Sequence, residues 1–150
     1  MIRIVSSSSS TTRRIGYCVA RYMVRSSRKT KRVILLSGDL GGGKTTFVKG
    51  FLHFFDIAAR GASPTFVLAK RYSLFEKNVR HIDSIYHIDA YRLRSFADAS
   101  LVGLPAMLAD ERAFVLIEWP QRLWKKKPRH ALAVSFSYGK GRNERILSFS

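Results

Sequence analysis

Val33-Ile34-Leu35-Leu36-Ser37-Gly38-Asp39-Leu40-Gly41-Gly42-Gly43-Lys44-Thr45-Thr46-Phe47 runs from an apolar tetrapeptide through a glycine cluster into a lysine and two threonines. From Gly38 to Thr45 it satisfies the pattern G-x-x-x-x-G-K-[ST] of a phosphate-binding loop, which requires a strand before it and a helix after it. Each position has a task. Gly38, Gly41, Gly42 and Gly43, with Asp39 and Leu40 between them, let the backbone curl so that successive N–H groups face phosphate oxygens. The helix that follows turns its positive dipole end toward the same anion. Lys44 is suited to neutralising β- and γ-phosphate charge, the Thr45 hydroxyl to ligating Mg²⁺, and Thr46 extends the loop.

Outward from the loop, strand and helix signals alternate. The spacing predicts a strand at Val33–Leu36 and a helix from Lys44 to about Phe55. Ala62-Ser63-Pro64 breaks the pattern, after which strands are expected at Thr65–Tyr72 and Ile82–Ile88 and a helix at Arg94–Leu101. Phe114–Ile117 is a short continuous apolar run of the buried parallel type, closed by Glu118, Trp119 and Pro120. Final strands are expected at Ala131–Phe136 and Arg145–Phe149. Before the loop, Ile15, Val19, Tyr22 and Met23 recur at helical spacing behind Thr11 or Thr12, either of which could cap a helix. Cys18 lies beside that stripe, which predicts a small buried thiol. Interleaved helices and buried strands point to an α/β class: one three-layer domain over residues 1–150, P-loop NTPase-like, with helices flanking a mostly parallel sheet.

Composition bounds the class further. The chain has 150 residues, 46% of them hydrophobic, enough for one core. Its 27 Lys and Arg against 10 Asp and Glu give a formal charge of +17, which favours a polyanionic ligand or partner. One cysteine excludes an internal disulfide framework and fits a reducing compartment. No apolar run approaches the roughly 18 residues of a membrane span, so the expectation is a cytoplasmic protein without membrane contact. The first 38 residues hold nine basic side chains and no acid, a composition shared with organellar transit peptides. The helical stripe within them argues instead for a folded strand and helix.

A phosphate-binding loop works with an acid at the end of a neighbouring buried strand. Glu118 occupies such a place. Asp89, in His87-Ile88-Asp89-Ala90-Tyr91-Arg92-Leu93, is the second candidate. His81-Ile82-Asp83 repeats its first three residues, but only the later copy stands between a predicted strand and a Tyr-Arg pair. The four histidines, His53, His81, His87 and His130, lack metal-ligand spacing.

These residues resemble a known family, the bacterial ATPase of tRNA threonylcarbamoyladenosine (t6A) biosynthesis, TsaE or YjeE. The resemblance is carried by Ser37–Phe47, by Ser63-Pro64-Thr65-Phe66, by His87–Leu93 and by Ile117-Glu118-Trp119-Pro120, in the family's order, and covers about residues 12 to 149. It implies ATP and Mg²⁺ as ligands, with Thr45 and Glu118 as magnesium-binding residues and Asp89 as an acid needed for hydrolysis near the metal. It implies that Thr65 sits in a mobile segment facing the nucleotide, that Trp119 lies close to the nucleotide, and that Thr12 helps form the adenine pocket. Arg145 resembles a late arginine near the nucleotide, although Arg142 is close by. The implied activity is slow ATP hydrolysis that drives turnover of a complex. The implied partners are the catalytic subunit of the tRNA threonylcarbamoyl transferase and its paralogue, which together modify position 37 of tRNAs reading codons that begin with A.

Two departures stand out. Gly42 replaces a frequent alanine, which is harmless. The +17 charge is unusual beside family members that are commonly near neutral. It leaves room for tRNA contact through Arg28-Lys29-Thr30-Lys31-Arg32 and Lys125-Lys126-Lys127-Pro128-Arg129. Neither run has interleaved aromatics for base stacking, so solvated loops are the plainer account. Two alternatives stand beside the ATPase. A small-molecule kinase also pairs such a loop with a strand-end acid but needs an acceptor pocket and lid. A non-hydrolysing, nucleotide-stabilised RNA-binding adaptor would bind tRNA whether or not Lys44 were present.

Overall fold

The computed structural model describes residues 1–26, 32–58, 68–74, 82–126, 128 and 130–150. Along them run β1 (Ile2–Ser6), α1 (Ser9–Arg25), β2 (Val33–Gly38), α2 (Lys44–His53), β3 (Ala69–Ser73), β4 (Ser84–Asp89), α3 (Phe96–Leu101), α4 (Leu104–Ala109), β5 (Ala113–Glu118), β6 (Ala131–Tyr138) and β7 (Arg145–Phe149). Short 3₁₀ turns follow β4 at Ala90–Arg92 and β5 at Pro120–Arg122.

One seven-stranded sheet has the order β1-β7-β6-β2-β5-β4-β3. Its centre, β6-β2-β5-β4, is parallel throughout. The antiparallel pairs are confined to the edges, where β3 adds to β4 and the β6–β7 hairpin carries β1. The α/β class with helices on both faces is as the sequence predicts. The edge strands lie outside the parallel rule because a hairpin or a terminal segment can pair without a crossover helix.

Alternation along the central strands divides the core in two. Ile34 and Leu36 of β2 and Phe114 and Leu116 of β5 face α1 and α2, where Phe47, Phe51 and Phe55 pack against them. Leu35, Val115 and Ile117 point the other way, onto Ala99 of α3 and Leu104 of α4. β5 is buried along its whole length, as expected of a strand covered on both faces.

The α1–α2 contact departs from the predicted stripe. The buried residues of α1 are Thr12, Gly16, Ala20 and Met23, while Ile15 and Val19 are partly covered and Tyr22 is 69% exposed. Cys18, expected inside, is exposed. The reason is close helix packing: a Cβ on Gly16 would collide with the Phe47 carbonyl oxygen, and one on Gly50 with the Arg13 carbonyl oxygen. Small residues let the backbones touch, so the face of α1 that meets α2 is turned from its larger apolar side chains. The cap also differs. Ser8, rather than Thr11 or Thr12, is the N-cap, its Oγ accepting from the Thr11 amide at 3.1 Å. Thr12 points inward, its Oγ1 2.8 Å from Ser6 Oγ.

Remaining elements shift at their ends. β3 is described from Ala69, residues 65–67 of the expected strand lying outside the described ones, and β4 begins at Ser84 rather than Ile82. α3 begins at Phe96 because Ser95 Oγ caps it through the Asp98 amide at 3.2 Å. α4 follows, with Gly103 in the left-handed region at its N-cap. Gly50→Ala tests the helix crossing: helix propensity alone favours alanine by about 1 kcal/mol. The close approach predicts the opposite sign, a loss of about 1–3 kcal/mol in urea unfolding. A gain would refute it.

Candidate functional site

The loop grows out of β2. Gly38 closes the strand at φ +134°, and a Cβ there would strike the Phe136 carbonyl oxygen of neighbouring β6. Gly43, at φ +102°, is the N-cap of α2 and offers no side-chain acceptor, so the first-turn amides of the helix have no capping side chain. Asp39 and Gly42 close the turn between them, with the Gly42 amide donating to the Asp39 carbonyl at 3.0 Å. The β6–β7 hairpin holds the loop from outside. Tyr138 donates its hydroxyl to the Leu40 carbonyl at 2.7 Å, and the Arg145 guanidinium reaches the Gly41 carbonyl at 3.3 Å. The N–H of a trans peptide points away from its C=O, so anchoring the Leu40 carbonyl turns the Gly41 amide away from the hairpin. Tyr138 had no local sequence signal; the β6–β2 pairing brings it to the loop.

Lys44, the first residue of α2, folds back over the loop and donates to the Gly38 and Asp39 carbonyls at 2.7 and 2.8 Å. Its ammonium lies 3.9 Å from the centre of the Trp119 ring. Burial lowers its pKa, and Glu118, Asp89 and Asp39 oppose that shift. It is a desolvated cation with neutral carbonyl partners.

Parallel register brings the acids together. Asp89 and Glu118 are the last residues of β4 and β5 and stand side by side. Glu118 is only 3% exposed, yet both its oxygens are engaged. Oε2 accepts from Thr45 Oγ1 at 3.0 Å and Oε1 lies 2.9 Å from His87 Nε2. An ionised carboxylate only accepts, so Nε2 is the donor, which leaves Nδ1 of this fully buried ring without a partner among the described residues. His87 stood in a quoted motif, but its contact with Glu118 requires the strand register to be seen. Asp89 accepts from the Tyr91 amide at 3.1 Å. Burial raises its pKa and Glu118 adds to the rise, opposed by the Tyr91 amide, His87 and Lys44. Asp83 lies just before the other end of β4, partly exposed and paired with Arg112.

These groups enclose a hollow of about 280 Å³ walled by Lys44, Thr45, Thr46, Asp89, Glu118 and Trp119. Its size, at the lower edge of ligand pockets, suits a phosphate chain better than a whole nucleotide. Trp119 forms its wall from a left-handed backbone, φ 61° and ψ 46°, rare for a bulky residue and a form of strain found at ligand sites. Its amide donates to the Leu36 carbonyl at 3.1 Å and its ring lies 5.0 Å from that of Tyr91. Thr12 does not line the hollow. It stands behind the loop, where a Cβ on Gly43 would meet its methyl at 3.6 Å. Arg145 is likewise on the outer side, over the Tyr138 ring. Thr65 and its Ser63-Pro64-Thr65-Phe66 motif lie outside the described residues.

Known proteins share this chain's sequence and fold. The family model described as threonylcarbamoyl adenosine biosynthesis protein TsaE matches residues 6–146. The tRNA threonylcarbamoyladenosine biosynthesis protein TsaE of Treponema pallidum is 33% identical over 134 residues, 89% of this chain and 90% of that protein. Its Bacillus subtilis counterpart is 31% identical over 118 residues, 79% of this chain and 68% of that one. The Borreliella burgdorferi protein is 37% identical over 90 residues, 60% of this chain and 61% of its own length. Among solved structures, Bacillus subtilis YdiB superposes with a TM-score of 0.68 at 25% identity, covering 99% of this chain and 83% of that chain. The chain belongs to the TsaE family of t6A tRNA biosynthesis.

Proposed function

We propose that the protein binds ATP with Mg²⁺ and hydrolyses it slowly, as an accessory to t6A formation at position 37 of tRNAs reading codons that begin with A. In this reading it works in the cytoplasm as a single domain, with the catalytic subunit of the threonylcarbamoyl transferase and its paralogue. The observation that carries the proposal is the convergence of Lys44, Thr45, Asp89 and Glu118 on one small hollow at the carboxyl ends of β2, β4 and β5.

The donor set fits a magnesium ion that shares its coordination with phosphate. Among the described residues no group of three or more His, Cys, Asp or Glu forms a ready-made metal centre, and Mg²⁺ typically takes one or two protein oxygens plus substrate phosphates. Thr45 and Glu118 would hold the ion, with Asp89 beside them, and its charge would neutralise β- and γ-phosphate oxygens. Lys44 exchanges its loop carbonyls for phosphate oxygens and offsets the charge that develops as the terminal phosphoryl group leaves. Asp89 orients the attacking water and accepts its proton. His87 fixes one oxygen of Glu118 so that the other faces Thr45, the role of an outer partner that orients a ligand. Trp119 bounds the nucleotide, Arg145 holds the loop against it, and Thr12 backs the loop at Gly43; Thr65 would meet the terminal phosphate. ADP and phosphate are the products.

The test is phosphate release from ATP, with and without Mg²⁺, by the protein alone and with its two partners and tRNA. Release should rise with the partners, and Lys44→Ala and Glu118→Ala should each lose about 100-fold or more. Nucleotide binding without release under every condition would overturn the hydrolytic reading. His87→Ala should cost about 10- to 100-fold, and His87→Gln, which keeps a donor, should cost less. Equal losses for the two would remove the positioning role.

The raised pKa of Asp89 gives a second check, on the nucleotide-free protein. A carboxyl whose folded pKa exceeds its unfolded value loses stability as pH rises from the unfolded value through the folded one. At neutral pH, above the ordinary carboxylate range, Asp89 is therefore destabilising. Asp89→Asn should melt above the parent at neutral pH, with the gap closing on acidification. A lower melting temperature at neutral pH would contradict the burial penalty.

A further inference from the structure

The positive charge is unevenly placed. α1 and α2 carry Arg13, Arg14, Arg21, Arg25, Lys44 and Lys49 and no acidic residue. Asp89, Asp98, Asp110, Glu111 and Glu118 all fall in the segment from β4 to β5, which includes the opposite helical layer, and Asp83 immediately precedes it. One face of the sheet is thus covered by two helices that carry basic side chains and no acid.

Within that layer, where α1 crosses α2, lies a hollow of about 750 Å³ separate from the nucleotide cavity. Arg13, Arg14 and Tyr17 of α1 line it from one side, Lys49 and His53 of α2 from the other. Arg13, Arg14 and Lys49 are exposed and enter no ion pair or side-chain hydrogen bond among the described residues. Asp56, three residues beyond His53, is the acid nearest in sequence and has interactions of its own. Tyr17 is half-buried, held edge-on by Phe54 at 5.3 Å and beside His53 at 6.0 Å. Three unpaired cations around a concave floor with a braced aromatic ring is the combination that holds nucleic acid: charge tracks the phosphates and a ring stacks on a base. The Gly16 and Gly50 contacts that fix the helix crossing also fix the spacing of these groups.

We propose that this groove is a second binding site, which takes the phosphodiester backbone of RNA and stacks one unpaired base on Tyr17. Hydrolysis of ATP is not needed for it. Lys49 is five residues along α2 from Lys44, about 7–8 Å of helix rise, so RNA and nucleotide would be held by successive turns of one rod.

The experiment is fluorescence anisotropy of the full chain with a labelled, unmodified tRNA transcript, from about 50 to about 300 mM KCl. The triple variant Arg13→Gln/Arg14→Gln/Lys49→Gln should weaken binding at least about tenfold and lower the slope of log affinity against log salt by about 2 to 3. Tyr17→Leu should weaken binding about tenfold with the slope unchanged. Thermal melting of each variant checks that it remains folded, and phosphate release by the triple variant should equal the parent's. The proposal fails if the triple variant matches the parent in affinity and slope, or if Lys125→Gln/Lys126→Gln alone abolishes binding. It fails equally if the parent binds phosphatidylglycerol vesicles but not tRNA. Loss of phosphate release in the parent, with the predicted RNA behaviour intact, would overturn the hydrolytic reading and leave this site standing.

Discussion

The bond between Glu118 and its two partners is the joint on which the site turns. β5 lies between β2 and β4, and its last side chain is reached by a hydroxyl from α2 and an imidazole from β4. A carboxylate buried this deeply is costly unless its lone pairs are answered. Satisfying it therefore fixes the start of α2 and the end of β4 at once. The loop, whose last glycine caps α2, is positioned by the same joint from below and by the Tyr138 and Arg145 contacts from above. Lys44 is thereby left with carbonyls as its hydrogen-bond partners, ready to exchange them.

Legibility in the sequence followed the range of the interactions. The loop is a local device whose residue types and order suffice to identify it, and Val33–Leu36 and Phe114–Ile117 announced buried strands by their unbroken apolar character. Strand-end position then placed Glu118 and Asp89 near the loop, and a strand intervenes between Asp83 and that end. What depended on pairing was hidden. Nothing near Tyr138 hints that it reaches Leu40, and the contact of His87 with Glu118 follows from β4 and β5 being neighbours. The α1 errors have a different source. Periodicity counts large apolar side chains, whereas the contact with α2 is made by Gly16, Ala20 and Thr12, so Tyr22 and Cys18 face outward. The cap moved to Ser8 because five successive serines and two threonines offered several equivalent candidates to a rule based on residue type alone.

The two helical layers differ in character as well as in charge. α1 and α2 are held by backbone contact at two glycines and by a cluster of phenylalanines, Phe51 and Phe114 meeting edge to face at 5.5 Å. α3 and α4, six residues each, cover the opposite face with smaller side chains and lie within the acidic segment. The nucleotide hollow opens between these regimes, which is why its electrostatics are mixed: a cation from the basic layer faces two carboxylates at the strand ends.

The hub position of β2 has a consequence for synthesis on the ribosome. Val33 pairs with Val115 on one side and with Ala131 on the other, roughly 80 and 100 residues later in the chain. The loop motif emerges well before either of the strands that flank its own, β5 and β6. Loop closures this long are slow to form. A nascent chain carrying the complete motif therefore exposes an unpaired β2 until β5 has been translated, a period in which its apolar edge is available to chaperones or to misassociation.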